Sequence, residues 1–192
     1  HMYIKNLNGT FSDFAYEGDS IKTHIDGLNF KEQSGLILNN LSATVLYSPK
    51  KISLKKLNLA LEKSLLQAVY FELMTPNGAV DFGDFLNQVK FNAKLHHSII
   101  NLNDIAYFVP QIQGMTDDVN IINANVTGVV NGMKIRNTEI RMLENTILKG
   151  NFQIPNLDDL NSAFLDENIT LFQTSIEDIE AINLSPFIEG DG

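Results

Sequence analysis

The chain has 192 residues, 44% of them hydrophobic, with 14 Lys+Arg against 23 Asp+Glu, a formal net charge of −9 and no cysteine. That length suits one sizeable core burying about 70% of the unfolded surface. The absence of cysteine excludes disulfides and thiolate metal sites, and the scattered cations lack the clustering that wrapping nucleic acid needs, so no nucleic-acid partner is expected. Anionic lipid headgroups are poor electrostatic partners for the same reason, whereas buried acyl chains are indifferent to surface charge.

In chain order, the first signal is a phrase that recurs without exact copying: Ile4-Lys5-Asn6-Leu7-Asn8, Leu38-Asn39-Asn40-Leu41-Ser42 and Leu54-Lys55-Lys56-Leu57-Asn58, with Ile135-Arg136-Asn137-Thr138-Glu139 a looser echo. An aliphatic residue and two polar ones lead into an alternating run, and such repetition points to one structural unit stacked many times. Period-two alternation then dominates. Val69, Phe71 and Leu73 alternate with Tyr70, Glu72 and Met74, and Val89, Phe91, Ala93 and Leu95 alternate with Lys90, Asn92, Lys94 and His96. Ile122, Ala124, Val126, Gly128 and Val130 form a third series, and Leu148, Gly150, Phe152 and Ile154 a fourth. Each segment is expected to carry one apolar and one wet face. Ser48-Pro49-Lys50-Lys51, Thr75-Pro76-Asn77-Gly78 and Asn131-Gly132 supply reversals, the last with the signature of a type I′ hairpin turn. Antiparallel meanders follow.

Four short stretches take a helical period: Phe82, Phe85, Leu86 and Val89; Leu102, Ile105, Ala106 and Val109, with Asn101 as cap and Pro110 as stop; Leu157, Leu160 and Phe164; and Ile176, Ile179 and Ile182, opened by Thr174 and Glu177 in a capping-box pattern. Helices this short are marginal alone, so each is expected to dock its apolar stripe on the sheet.

Catalytic signatures are missing. There is no nucleophile elbow, phosphate loop or His-Glu-x-x-His helix, and no cofactor motif. The neighbours His96 and His97 are expected to diverge across a strand and to make a poor metal pair. Asp117-Asp118 and Asp158-Asp159 read as a loop pair and a helix first turn rather than as paired catalytic or calcium-binding carboxylates. The chain does not read as an enzyme.

What remains is the amount of apolar side chain facing one side of a sheet. An ordinary β-sandwich would cover it with a second sheet. A single sheet curled into a trough would leave it available to an apolar ligand, and the reused strand phrase favours that arrangement. The residues thus give a mainly β, largely antiparallel fold with a few short helices and leave both arrangements open, composition favouring the sandwich and the repeats an elongated, curved sheet. Its inner face is expected to comprise Val69, Phe71, Leu73, Phe91, Leu95, Val126, Val130, Leu148, Phe152 and Ile154. A glycan-binding sandwich or β-helix is disfavoured by the absence of Trp.

Several blocks carry a family resemblance: Gly35 to Ala43, Tyr47 to Leu59, Phe82 to Val89, Leu102 to Gln111, Leu148 to Phe152, and Thr174 to Ile179 with Pro186-Phe187-Ile188. In their order the chain resembles the TamB-like branch of the AsmA superfamily. His1-Met2 reads as a cloning scar, and the resemblance implies that residues 3–192 are one internal, periplasmic segment of a larger repeated β-groove protein anchored in the inner membrane, its sheet elongated and curved in taco or half-pipe form. It implies a groove that carries phospholipid acyl chains between inner and outer membranes. The alternative it implies is assembly of outer-membrane proteins by β-strand augmentation, beside an outer-membrane barrel partner bound through other parts of the parent protein. The family offers no catalytic residue to carry over.

Overall fold

The computed structural model describes residues 4–33, 35–106, 113–114, 117–154 and 165–181. Ten strands form one sheet in the order of the sequence: β1 (Ile4–Glu17), β2 (Ser20–Glu32), β3 (Ile37–Ser48), β4 (Lys51–Ala60), β5 (Leu65–Met74), β6 (Lys90–Asn101), β7 (Asp118–Gly128), β8 (Met133–Met142), β9 (Thr146–Ile154) and β10 (Leu165–Gln173). Every neighbouring pair is antiparallel. The sheet is open and curved into a half-pipe, as the alternation and the repeated phrase predict.

The repeated phrase is a β-bulge. In β4, Ile52 and Leu54 belong to the core cluster, and so do Leu57 and Leu59, so the inward parity changes from even to odd across Lys55-Lys56. Lys56 lies in the left-handed region at φ 53°, and Asn6 (56°) and Asn137 (48°) occupy the same third position of their phrases. His97 (44°) and Gly27 (65°) do the same in Leu95-His96-His97-Ser98 and Ile25-Asp26-Gly27-Leu28. One extra residue lets the aliphatic side chains on both flanks face inward.

These bulges fall side by side. Lys56 stands opposite Val69, His97 opposite Ile122, and the Arg136-Asn137 pair opposite Asn151. Each bends its strand and adds twist. Aligned, they crease the sheet along a line across the strands, and the two flanks of a single sheet together form one core. Backbone groups freed at the crease find side chains. Ser98 Oγ accepts from Gln67 N at 2.9 Å, Ser42 Oγ accepts from Gly27 N at 3.1 Å, and Asn151 Oδ1 accepts from Asn137 N at 2.8 Å. Asn123 donates to the Asn137 carbonyl. The recurring Ser and Asn thus satisfy polar groups that would otherwise be stranded beside the core.

Connections depart from the sequence reading in instructive ways. The Pro49-Lys50 reversal is a tight hairpin between Ser48 and Lys51. The loop at Asn131-Gly132 spans 129–132 rather than two residues, because Gly128 and Gly132 meet there: a Cβ on Gly128 would lie 2.4 Å from the Gly132 carbonyl oxygen. The stretch from Phe82 to Val89 is a 3-10 turn (Ala79–Asp84) followed by α1 (Phe85–Gln88). Leu86 packs on the core and Val89 is fully buried, but Phe82 and Phe85 face solvent. In α2 (Leu102–Ile105) the predicted cap forms, Asn101 accepting from Asn103 N at 3.1 Å.

The α3 helix (Ile176–Ala181) does not dock its isoleucines; Ile176 and Ile179 are exposed. It is held instead by buried Asp178, which accepts from Thr146 Oγ1 at 2.7 Å and Asn145 N at 2.8 Å. Its first turn is capped by Ser175, not Thr174, which bonds to Thr146. The Leu157–Phe164 helix and Asp158-Asp159 lie outside the described residues.

Candidate functional site

The apolar lining is a set of straight rows running across the strands. One joins Val45, Leu54, Phe71, Ala93, Val126, Ile135 and Phe152, each the direct partner of the next. A second passes through Ile52, Leu73 and Phe91 on the same flank. Beyond the crease, Leu57, Ala68, Leu95 and Ala124 form a third, and Ile121, Ile140, Leu148 and Phe172 a fourth. Cross-strand partners share a face, so each row is a continuous apolar strip perpendicular to the strands. At about 4.8 Å per strand, the six spacings of the first row give a strip ~29 Å long, and the nine spacings of the whole sheet ~43 Å.

Nine of the ten expected inner-face residues join this core: Phe71, Leu73, Phe91, Leu95, Val126, Val130, Leu148, Phe152 and Ile154. Val130 does so from the loop after β7 rather than from a strand. Val69 does not. The bulge at Val69-Tyr70 turns both side chains to the outer face, where Val69 is 49% exposed and lines a shallow pocket of about 270 Å³ with Lys55, Tyr70, Glu72 and Asn92. Ile122 is displaced from the core in the same way, and Ile121 takes the inward position. Sequence reasoning placed Ala93 and Ala124 on the apolar face, as found, but missed Ala43 and Ala68, small residues near the crease that are buried as well.

Burial varies along the trough. Inside the end strands the lining is packed against itself, with Leu57 on β4 and Phe152 on β9 each 3% exposed. At the end strands it is uncovered. On β1, Phe11 pairs with Ile25 and Tyr16 with Ile21, which places both on the inner side, yet Phe11, Phe14 and Tyr16 are exposed, as is Leu7. On β10, Ile169 and Phe172 are likewise exposed. The apolar strip therefore runs out into solvent at both ends.

The outer face is polar. Lys51 Nζ lies 2.7 Å from Glu72 and, with Asn92 and Ser53, holds that carboxyl below the usual range. Lys149 and Arg141, each 2.8 Å from Glu139, do the same there. Asp118 accepts from Asn101 Nδ2 at 2.8 Å, a structural use of that acidic pair. His96 and His97 do not diverge. The bulge brings their rings to 5.7 Å on the outer face, edge to face. No group of three or more His, Cys, Asp or Glu able to hold a metal occurs among the described residues, and no described helix is long and apolar enough to cross a membrane. Comparison with protein-family models, with curated proteins and with solved structures returned no match.

Proposed function

We propose that this chain is a length of a lipid-carrying trough, an internal segment of a periplasmic bridge whose apolar lining carries phospholipid acyl chains between two membranes. The observation that supports it is the lining itself, a set of apolar rows that together span the sheet and stay uncovered on its two end strands. An acyl chain gains on the order of 0.8 kcal/mol per buried CH₂ against such a surface without any directional contact. Entry is at the end strands. In the middle, a tail exchanges one apolar contact for another as the flanks part, while the headgroup stays in water at the open seam. The resemblance to the TamB-like branch supports the same reading.

Organic extraction of purified protein followed by mass spectrometry tests it. Phospholipid near one per chain, lost in Phe172→Asp with the strand spectrum unchanged, is the expected result; lipid-free protein refutes it. A second reading, strand augmentation of outer-membrane clients, draws on the terminal position of β1 and β10 in the sheet. It predicts saturable binding of an extended β-strand peptide, abolished by proline at an outward-facing N–H of the end strand.

A further inference from the structure

Charge is segregated in a way that composition conceals. Strands β2–β9 hold 11 of the chain's 14 Lys+Arg but only 5 of its 23 Asp+Glu, so the body of the sheet is cationic within an acidic chain. Much of that charge gathers at the crease. Each bulge turns two consecutive side chains outward instead of one, and the ridge reads Lys55-Lys56 on β4, Val69-Tyr70 on β5, His96-His97 on β6, Ile122-Asn123 on β7 and Arg136-Asn137 on β8. Lysine, histidine and arginine positions thus alternate with pairs bearing an apolar side chain, strand by strand. A straight row of partners runs Lys55, Tyr70, Lys94, Asn125, Arg136, setting exposed Lys55 and Lys94 two strands, about 9.6 Å, apart, with half-buried Arg136 two strands further on. The acids nearest the ridge are committed: Glu72 to Lys51 and Glu139 to Arg141 and Lys149.

From this ridge we infer that the convex face of β4–β8 docks on an anionic lipid bilayer surface. A curved sheet laid on a plane touches it along its crest, and the crest here is where the lysines stand. With a screening length of about 8 Å at physiological salt, acids in the connections and end strands are shielded from a surface that meets the ridge. Lysines near such a surface each contribute to binding. Exposed Val69, with Tyr70 beside it, gives the crest an apolar element suited to the headgroup boundary, which a nucleic-acid backbone would not use. The inference does not rest on the acyl-chain reading, since the ridge lies on the opposite face from the lining.

Co-sedimentation with vesicles of equimolar phosphatidylcholine and phosphatidylglycerol, beside vesicles of phosphatidylcholine alone, tests it. Binding is expected to the anionic vesicles only, to fall as salt is raised, and to weaken about fivefold per lysine removed, hence roughly 25-fold or more in Lys55→Glu/Lys94→Glu. Val69→Asp should weaken it further with circular dichroism unchanged, and Lys63→Glu, in the β4–β5 loop, should leave it intact. Phe172→Asp should leave it intact as well, even where that variant loses co-purified lipid. Unchanged binding by the double variant, equal binding to neutral vesicles, or tighter binding to a single-stranded oligonucleotide than to the anionic vesicles would overturn it.

Discussion

Deleting Lys56 should be far better tolerated than deleting Asn58, two residues on. Lys56 is exposed, and its side chain makes no contribution to the core. It is the extra residue of the bulge: Leu54 and Leu57 stand three apart, and the backbone of Lys56 at φ 53° lets both face inward. Without it they stand two apart, and strict alternation keeps Ile52, Leu54, Leu57 and Leu59 on one face. What is lost is the match to Val69 on β5, one or two hydrogen bonds at about 0.5–1.5 kcal/mol each. Removal of a left-handed non-glycine residue, which costs about 1–2 kcal/mol, offsets that loss. Deleting Asn58 instead makes Leu57 and Leu59 adjacent, so one of them must turn to the outer face at about 1.5–3 kcal/mol, with the left-handed residue retained. Lys56→Gly keeps the bulge and relieves the left-handed position, part of which is lost again to the more flexible unfolded chain, and it should match or exceed the parent. Urea unfolding followed by circular dichroism compares the variants. The Lys56 deletion should lie within about 2 kcal/mol of the parent and the Asn58 deletion clearly below it. A Lys56 deletion as destabilising as the Asn58 deletion would refute the parity argument.

Phe152→Ala should cost about 3–5 kcal/mol, because its side chain is buried at the β9 end of its row, whereas Phe14→Ala on the open end strand should shift the urea midpoint little. Gly150→Ala should destabilise β9–β10 pairing, since its Cβ would meet the Asn168 carbonyl oxygen at 2.4 Å; hydrogen exchange should show β10 loosening before the rest of the sheet. The Asp178 carboxyl is held low, first by the Thr146 hydroxyl and then by the Asn145 amide. Its stabilising effect is therefore present above the ordinary carboxylate range and lost as pH falls through the depressed value. Amides of α3 should lose protection at acid pH before those of β6, and Asp178→Asn should produce the same loss at neutral pH.

Much of the fold was legible because a meander exposes its pattern directly. Alternation marked the strands, and Pro49-Lys50 marked a hairpin. The face of a residue was legible only within one half of a strand. Phe71 and Leu73 lie on one side of the β5 bulge, and Val69 sits within it, so an unbroken alternation carried Val69 to the wrong face. The phrase that marked the bulge was visible, and Asn6, Asn137 and Gly27 at its left-handed position are residue types that favour positive φ, but Lys56 and His97 gave no such hint, and the bulges that displace Val69 and Ile122 fall in strands that carry no phrase. Ala43 and Ala68 were invisible for a different reason: small residues carry little hydropathy, and only the crease shows why small volume is wanted there. Ile176 and Ile179 had the spacing of a docking stripe, but α3 is placed by a carboxylate, for which periodicity has no signal.

Because the sheet follows the order of the sequence, nearly every tertiary contact joins segments already adjacent in the chain. Ring closures are short, so the entropic barrier to pairing is low and the chain should fold quickly for an all-β protein. Folding can begin at any hairpin and zip outward. No strand is inserted between two others, so adding or removing a hairpin changes the span of the sheet without rethreading it. Span is thus a free variable, open to adjustment by duplication one hairpin at a time.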